Sequence, residues 1–457
     1  MRFTKFGKAF LMSALSAGVI LGITSCVQSY SVGFLYVVGT HTASSGDNGI
    51  ISGFKIDHNK GLLTAINGLP VSSGGSNPVR TLIVTGGRFL YVLNRGANSA
   101  GNADCTTADP CSGGNVVQFS IGGNGILAAQ GQAQFSQGFN PMRMFTDSSG
   151  SYLYVLDHDA PDNYATTYNP ATNACTLALG AGVQTCGDIT AFKIDATTGR
   201  LTKVLNSQVT AASGAPLTYF PVPANPIDIV LSSSFVLTVS GTPLTGDSVF
   251  PYTFNSVNGQ LTVNQNSSQP LNIAGATAIV VGGGFVYVLD NETLTLNVAG
   301  SSTPTTAASW VFPYTVGTNG ALQSATGGAV PDSVSLSNPI YLIVESKGKW
   351  AYMANAGNNN TSTGNTQSGL TGYVIDPATH QLTEIPGSPF GSGAGPSCLL
   401  EDPSNQFVYT ANFNASTVTG SVIDQNSGVL NPLPGSANKP YPVDGPPTWC
   451  VATGRTS

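Results

Sequence analysis

The chain has 457 residues, of which only 8% are Asp, Glu, Lys or Arg, against roughly a quarter in an average soluble domain. Sixteen basic and 22 acidic residues give a formal charge of -6, and three of the basic ones fall in a leader read below as removable. This balance excludes an electrostatic grip on DNA or RNA, while 55 Gly and 28 Pro set among recurring aliphatic and aromatic residues indicate many turns and not disorder.

Met1 to Lys8 is short and basic, Ala9 to Ile23 is mostly apolar, and the run ends at Ile23-Thr24-Ser25-Cys26. Such an apolar run makes roughly 22 Å of helix, too short for a hydrocarbon core of about 30 Å. Residues 1–25 therefore read as a signal peptide. The two small-to-medium residues before Cys26 resemble a bacterial lipobox. That resemblance implies that Cys26 is lipidated and becomes the first mature residue, with 26–33 as a short tether. An ordinary secretory peptide with an incidental Cys26 is the alternative. The expected place is the bacterial cell envelope, on the periplasmic side or at the outer membrane.

From residue 34 one phrase recurs: Phe34-Leu-Tyr36-Val, Phe89-Leu-Tyr91-Val, Tyr152-Leu-Tyr154-Val, Phe235-Val-Leu237-Thr, Phe285-Val-Tyr287-Val, Trp350-Ala-Tyr352-Met and Phe407-Val-Tyr409-Thr. The central residues are 55, 63, 83, 50, 65 and 57 positions apart, which makes seven units. Each phrase leads to a second strand and a turn, as in Phe54-Lys-Ile-Asp57 with Gly61, or Phe192-Lys-Ile-Asp195 with Gly199. Alternating apolar residues bounded by Asp or Asn and a Gly that tolerates positive φ predict an antiparallel hairpin. Ahead of each phrase lies a short apolar strand, usually opened by Pro: Pro78, Pro141, Pro226, Pro339, Pro396 and Pro447, with Gly275-Ala276 in the remaining unit. Pro at a strand's first residue leaves no ladder bond unmade.

Counting strands A to D outward from an axis, the Pro strand is A and the Tyr strand B. The chain then begins with a B strand and ends with an A strand, Trp449-Cys-Val-Ala452. These orphans are complementary, so the expectation is an all-β, seven-bladed β-propeller over 34–454 with four-stranded antiparallel blades. The C-terminal inner strand joins the N-terminal strands to close the ring, leaving a tail at 455–457. Radial closure leaves only short outer edges.

Setting Cys26 aside leaves six cysteines that an oxidising compartment can pair. Cys105 with Cys111 and Cys175 with Cys186 are plausible local staples. Cys398 and Cys450 form either a third pair or two separate buried thiols. The spacing is poor for zinc, so neither metal nor cofactor is expected.

In a propeller the D-to-A and B-to-C connections share one face, and here the B-to-C connections after Asn94, Asp157, Asp290 and Asn355 are long. Long loops on a rigid scaffold serve binding. Two positions after the opening Pro come Arg80, Arg143, Asp228, Tyr341 and Cys398, and at the ends of B strands come His41, Arg95, Asp157, His158, Asp159 and Asn355. These side chains could ring the channel mouth, with Arg80, Arg95, Arg143, Asp228 and His41 as substrate-binding groups. His158 between Asp157 and Asp159 suits a general base oriented by a carboxylate, and equally a solvated loop. Arg paired to Asp157 or Asp228 as rim salt bridges is the structural alternative.

The Tyr-Val-x-Asn, Phe-x-Ile-Asp and Asn-Pro cycle resembles the lactonase family of seven-bladed propellers, the 6-phosphogluconolactonase-like proteins. The resemblance implies a carboxylic ester hydrolase acting on a sugar lactone. Members of that family carry a His after Pro-Arg and a Glu after a Tyr strand. The matching positions here hold Arg80, Arg143, Asp228, Tyr341 and Cys398 for the His, and Arg95, His158, Ala356 and Phe413 for the Glu. Two functions follow as expectations: lactone hydrolysis by His158 with the arginines holding the substrate, or a non-catalytic envelope platform. Its partners would be the membrane, through Cys26, and a sugar, glycan or envelope protein, with the propeller itself a monomer.

Overall fold

The computed structural model describes residues 30–41, 48–84, 86–101, 105, 109, 111–161, 186–210, 213–241, 246–263, 269–358, 367–433 and 440–454. The leader 1–25, Cys26, Cys175 and the tail 455–457 lie outside the described residues.

Among the described residues, seven antiparallel sheets of four or five strands follow one another around an axis, with a two-stranded ribbon, Leu294–Leu296 with Thr305–Ala307, as an addition. Blade 1 is composite: its inner strand A is Pro447–Gly454, followed outward by Ser31–Thr40, Gly49–Asp57 and Leu63–Ala65. Phe34 faces Thr453, Tyr36 faces Val451 and Val38 faces Trp449, so the two chain ends close the ring as a hydrogen-bonded pair. Strands A to C of the remaining blades run as follows. Blade 2 has Pro78–Ile83, Phe89–Asn94 and Asn115–Ile121; blade 3 has Phe139–Thr146, Tyr152–Asp159 and Cys186–Ile194. Blade 4 has Pro226–Ser232, Phe235–Ser240 and Ser248–Phe254; blade 5 has Ala276–Gly282, Phe285–Asp290 and Trp310–Val316. Blade 6 has Pro339–Val344, Trp350–Asn355 and Gly369–Ile375; blade 7 has Pro396–Glu401, Phe407–Asn412 and Thr417–Ile423. The outermost strands are mostly short and broken, as Leu63–Ala65 with Val71–Ser72 shows: both pieces pair with Gly49–Asp57.

The repeated phrase is the joint between blades. The central Tyr is buried and its hydroxyl donates to the carbonyl of the turn glycine of the next blade: Tyr36 to Gly125 at 2.8 Å, Tyr154 to Gly259 at 3.0 Å, Tyr352 to Gly428 at 2.8 Å, and Tyr91 to Gly199. Tyr409 donates to Gly61 at 2.6 Å, from blade 7 to blade 1, so the same bond spans the closure. The aromatic residue two before the Tyr lies on that glycine; a Cβ on Gly61 would come 2.5 Å from Phe407, and one on Gly125 would come 2.5 Å from Phe34. Glycine is needed there twice, for positive φ (+65° at Gly61) and for the ring above it. Blade 6 lacks the glycine: His380 takes its place at φ 55° and stacks on Phe285 at 4.1 Å, while the Tyr287 hydroxyl is buried without a partner. The apolar clusters are accordingly shared by neighbours, as where Tyr91 and Leu93 of blade 2 pack with Leu153, Val155 and Phe192 of blade 3.

Asn77, Asn140, Asn225 and Asn338, each just before a strand-opening Pro, adopt positive φ between 49° and 61°. Their amides are used at once, as where Asn77 donates to the Gly96 carbonyl and Asn338 to that of Gly357. The Asn-Pro signal thus marks a left-handed turn into the channel wall.

Candidate functional site

Every inner strand carries a register shift directly after its Pro, or after Ala276 in blade 5: at Pro78/Arg80, Pro226/Asp228, Ala276/Ala278, Pro339/Tyr341 and Pro396/Cys398 on the strand itself, opposite Leu156/Asp157 in blade 3, where the strand begins two residues earlier at Phe139, and opposite Val38/Gly39 in blade 1. A bulge bends its strand and re-aims a side chain. Repeated seven times, it presents one equivalent residue per blade: Trp449, Arg80, Arg143, Asp228, Ala278, Tyr341 and Cys398, in blade order.

These residues interlock. The Arg80 guanidinium lies 3.4 Å from the centroid of the Trp449 ring, a cation–π contact, and Tyr341 meets Trp449 edge to face at 4.9 Å. Arg143 Nε donates to Asp228 Oδ1 at 3.0 Å, and the other Asp228 oxygen accepts from the Ile279 amide at 3.1 Å. Arg143 is thus a salt-bridged rim cation. Arg80, among the described residues, has no hydrogen-bond or ion-pair partner. Burial, then the like charge of Arg143, pushes Arg80 well below its usual pKa, with Asp228 acting the other way. An arginine keeps its proton in proteins, so Arg80 stands in the wall as a cation.

Arg80, Arg143 and Trp449 form one wall of a cavity of about 370 Å³. The opposite wall belongs to blades 6 and 7: Asn338, Ile340, Ala356 and Gly357 from one, Gly395, Pro396, Ser397, Phe413 and Asn414 from the other. Ala356 and Phe413 occupy positions where the lactonase resemblance implied a Glu, and among the described residues no Asp, Glu or His lines this cavity.

The remaining candidates sit elsewhere on the same face. His158 Nδ1 is 2.9 Å from Asp159 Oδ1, and Asn140 donates to the other Asp159 oxygen at 3.4 Å. Arg95 Nε donates to Asn140 Oδ1. Burial, then Arg143, lowers the Arg95 pKa, and Asp159 opposes them. Arg95, Asn140, Asp159 and His158 are therefore one chain of contacts beside the cavity. Asp157 is not His158's partner; it is wholly buried and its Oδ2 is met by Gly138 N and Thr190. His41 pairs with Asp444 at 2.9 Å, away from the cavity lining.

Disulfides join Cys105 to Cys111 and Cys398 to Cys450, so the latter are bridged and not separate thiols. The second links the inner strands of blades 7 and 1, 5.7 Å apart at Cα, one residue beyond Trp449. Cys186 is also disulfide-bonded, and its expected partner Cys175 lies outside the described residues. Trp449 was absent from the sequence-derived site; the available signal was its place two residues after Pro447, matching Arg80 after Pro78.

The class defined by this geometry is a seven-bladed propeller with a cation–aromatic wall at its channel mouth. The sequence profile of the family described as Lactonase, 7-bladed beta-propeller matches residues 298–440. No curated protein matches the chain. Among solved structures, the periplasmic gluconolactonase of Pseudomonas aeruginosa is similar at a TM-score of 0.61 and 17% identity, covering 93% of this chain and 99% of that one. A protein of Bacteroides fragilis assigned provisionally as a 6-phosphogluconolactonase gives 0.59 and 14%, covering 92% and 98%. At such identities the likeness is one of fold.

Proposed function

We propose that the chain is a lactonase-type propeller of the cell envelope that binds an acidic sugar, an aldonate or its lactone, at the channel mouth. One observation carries this reading: Arg80 is a half-buried guanidinium with no anion of its own among the described residues, stacked on Trp449 at the wall of a cavity large enough for a monosaccharide. A carboxylate or lactone carbonyl would complete it with charge-assisted hydrogen bonds. Trp449 and Phe413 offer apolar faces to a sugar ring, and Asn338, Asn414 and Ser397 offer polar groups to its hydroxyls. The envelope location rests on the lipobox-like segment ending at Cys26 and on the disulfides, which persist in oxidising compartments. The periplasmic gluconolactonase of similar fold is consistent with it.

Binding is favoured over hydrolysis because, among the described residues, no Asp, Glu or His lines the cavity. The second reading, hydrolysis of a sugar lactone, draws on the His158–Asp159 contact at 2.9 Å, which can hold the imidazole ready to activate water. Isothermal titration of the mature chain with gluconate and glucuronate, with glucose as the neutral control, tests the first reading. Binding of the acids that falls by roughly 10- to 100-fold in Arg80→Ala supports it. Equal affinity for acid and neutral sugar, or an unchanged affinity in the variant, would refute it. Aldonolactone turnover lost in His158→Ala would replace it with the second.

A further inference from the structure

The outer ends of the B strands in blades 2 and 3 hold the same arrangement with different chemistry. In blade 2, Ser73 Oγ donates to Asn94 Oδ1 at 2.6 Å, and Asn94 Nδ2 donates to Asn115 Oδ1 at 2.9 Å across paired strands. Blade 3 places Ser136, Asp157 and Asp188 at the equivalent positions, with Asp157 facing Asp188 in the same register. Both amides have become carboxyls, so the N–H that joins the pair in blade 2 has no counterpart.

The consequence is visible in the bonding. Both carboxyls are wholly buried. Thr190 Oγ1 lies 3.4 Å from an Oδ2 of each, while Asp157 Oδ1 and Asp188 Oδ1 are buried without any partner among the described residues. The Ser136 hydroxyl is within reach of Asp157 but makes no hydrogen bond of normal geometry. Among the described residues neither aspartate has a Lys, Arg or His in ion-pair contact, and no group of three or more His, Cys, Asp or Glu converges as a metal set. Two ionised carboxyls in such a place would carry a large uncompensated cost.

We infer that Asp157 and Asp188, opposite each other across the strand pair, share a proton, making a pH-dependent latch between strands Tyr152–Asp159 and Cys186–Ile194 immediately behind His158. In the latched state one carboxyl O–H donates to the other, taking the part that Asn94 Nδ2 plays in blade 2. Opening transfers that proton to water and leaves two carboxylates in mutual repulsion inside a sheet. Burial pushes Asp157 up to about 8, and burial followed by the charge of Asp157 pushes Asp188 well above the carboxylate range. The surrounding charges add to this or are engaged elsewhere. Asp159, on the same strand, opposes ionisation of both; His158 is held by Asp159; Arg95 reaches Asn140; and Arg143, on the inner strand, is taken by Asp228. Lys193 is at the far end of the partner strand, and neither 136–138 nor Phe220–Ala224 brings a titratable side chain.

The folded-state values exceed the unfolded value of about 3.9, so the latch contributes in full below about pH 4 and is lost as pH rises through about 8. Melting curves of the mature chain from about pH 5 to about pH 9, compared with Asp188→Asn, test this. Asn returns an amide donor to the pair, on the strand that in blade 2 carries the acceptor Asn115. Asp290, Asp332 and Glu401 are also raised by burial, to about 7, 6 and 7, so only the difference between the two proteins isolates the pair. The expected result is a gap that widens with pH, the variant melting about 5 °C above wild type at about pH 9. Parallel curves would overturn the latch. So would a wild-type melting temperature that rises with calcium chloride while the variant's does not, since a cation would then hold the pair. Should Asp188→Asn fail to fold, Asp157→Asn and the protonated-carboxyl infrared band decide: that band at neutral pH must be weaker in the variant, and equal intensity refutes the shared proton.

Discussion

Replacing Tyr409 by Phe removes one oxygen from blade 7 at its joint with the composite blade 1 and leaves the packing of its aromatic face intact. Its hydroxyl is buried and donates to Gly61 O at 2.6 Å, and no described group replaces it. The lost bond and a carbonyl left without its donor together cost about 1–3 kcal/mol. Tyr287→Phe is the same change at the equivalent position of blade 5, where the hydroxyl is buried and unpartnered because His380 stands in place of the turn glycine. Removing an unsatisfied buried hydroxyl there should cost nothing and stabilise by up to about 1 kcal/mol. Guanidinium unfolding midpoints of the two variants and the wild type, at equal m-value, measure the contrast. A loss in Tyr287→Phe as large as that in Tyr409→Phe would refute the reasoning that the Tyr–Gly bond, and not the ring alone, joins blades.

The Cys398–Cys450 bridge closes a loop with a sequence separation of 52, worth about 4 kcal/mol by chain entropy, so the double Ala variant should unfold at correspondingly lower denaturant while keeping its fold. Gly428→Ala at φ +74° would bring a Cβ to 2.7 Å from Trp350 and should cost more than about 2 kcal/mol, whereas Gly284→Ala at φ +85°, with nothing within 4 Å, should cost only the backbone strain of about 1 kcal/mol. The same denaturation assay separates them, and equal losses would show that the inter-blade contact contributes little.

The fold was legible because each part of the repeat has a local physical cause. Pro at a strand's first residue, Tyr at the centre of B and Gly in the outer turn are each demanded by one hydrogen bond or one φ value. The orphan strands at Phe34 and Trp449 announced closure, and the pairing of Phe34 with Thr453 bears it out. The first strand starts at Ser31, ahead of the aromatic phrase. What stayed hidden was geometry between units. Nothing in the spacing of Tyr409 and Gly61 says that they touch, since the contact crosses nearly the whole chain. Arg80 and Arg143 were legible as neighbours of the channel. Their different states were not, because Asp228 comes from blade 4 and Trp449 from the far end of the sequence. For His158 the sequence offered two flanking carboxylates; Asp159 meets the imidazole, while Asp157 is met by Gly138 N and Thr190, contacts that come from other strands and loops.

The most direct test of the central claim is a crystal structure of the mature chain grown with gluconate. The account predicts a carboxylate within hydrogen-bond distance of the Arg80 guanidinium, with the carbon chain between Trp449 and Phe413 and the Arg143–Asp228 pair intact. Gluconate bound beside His158 with Arg80 left empty, or Arg80 turned off Trp449 to meet a protein carboxylate, would contradict it.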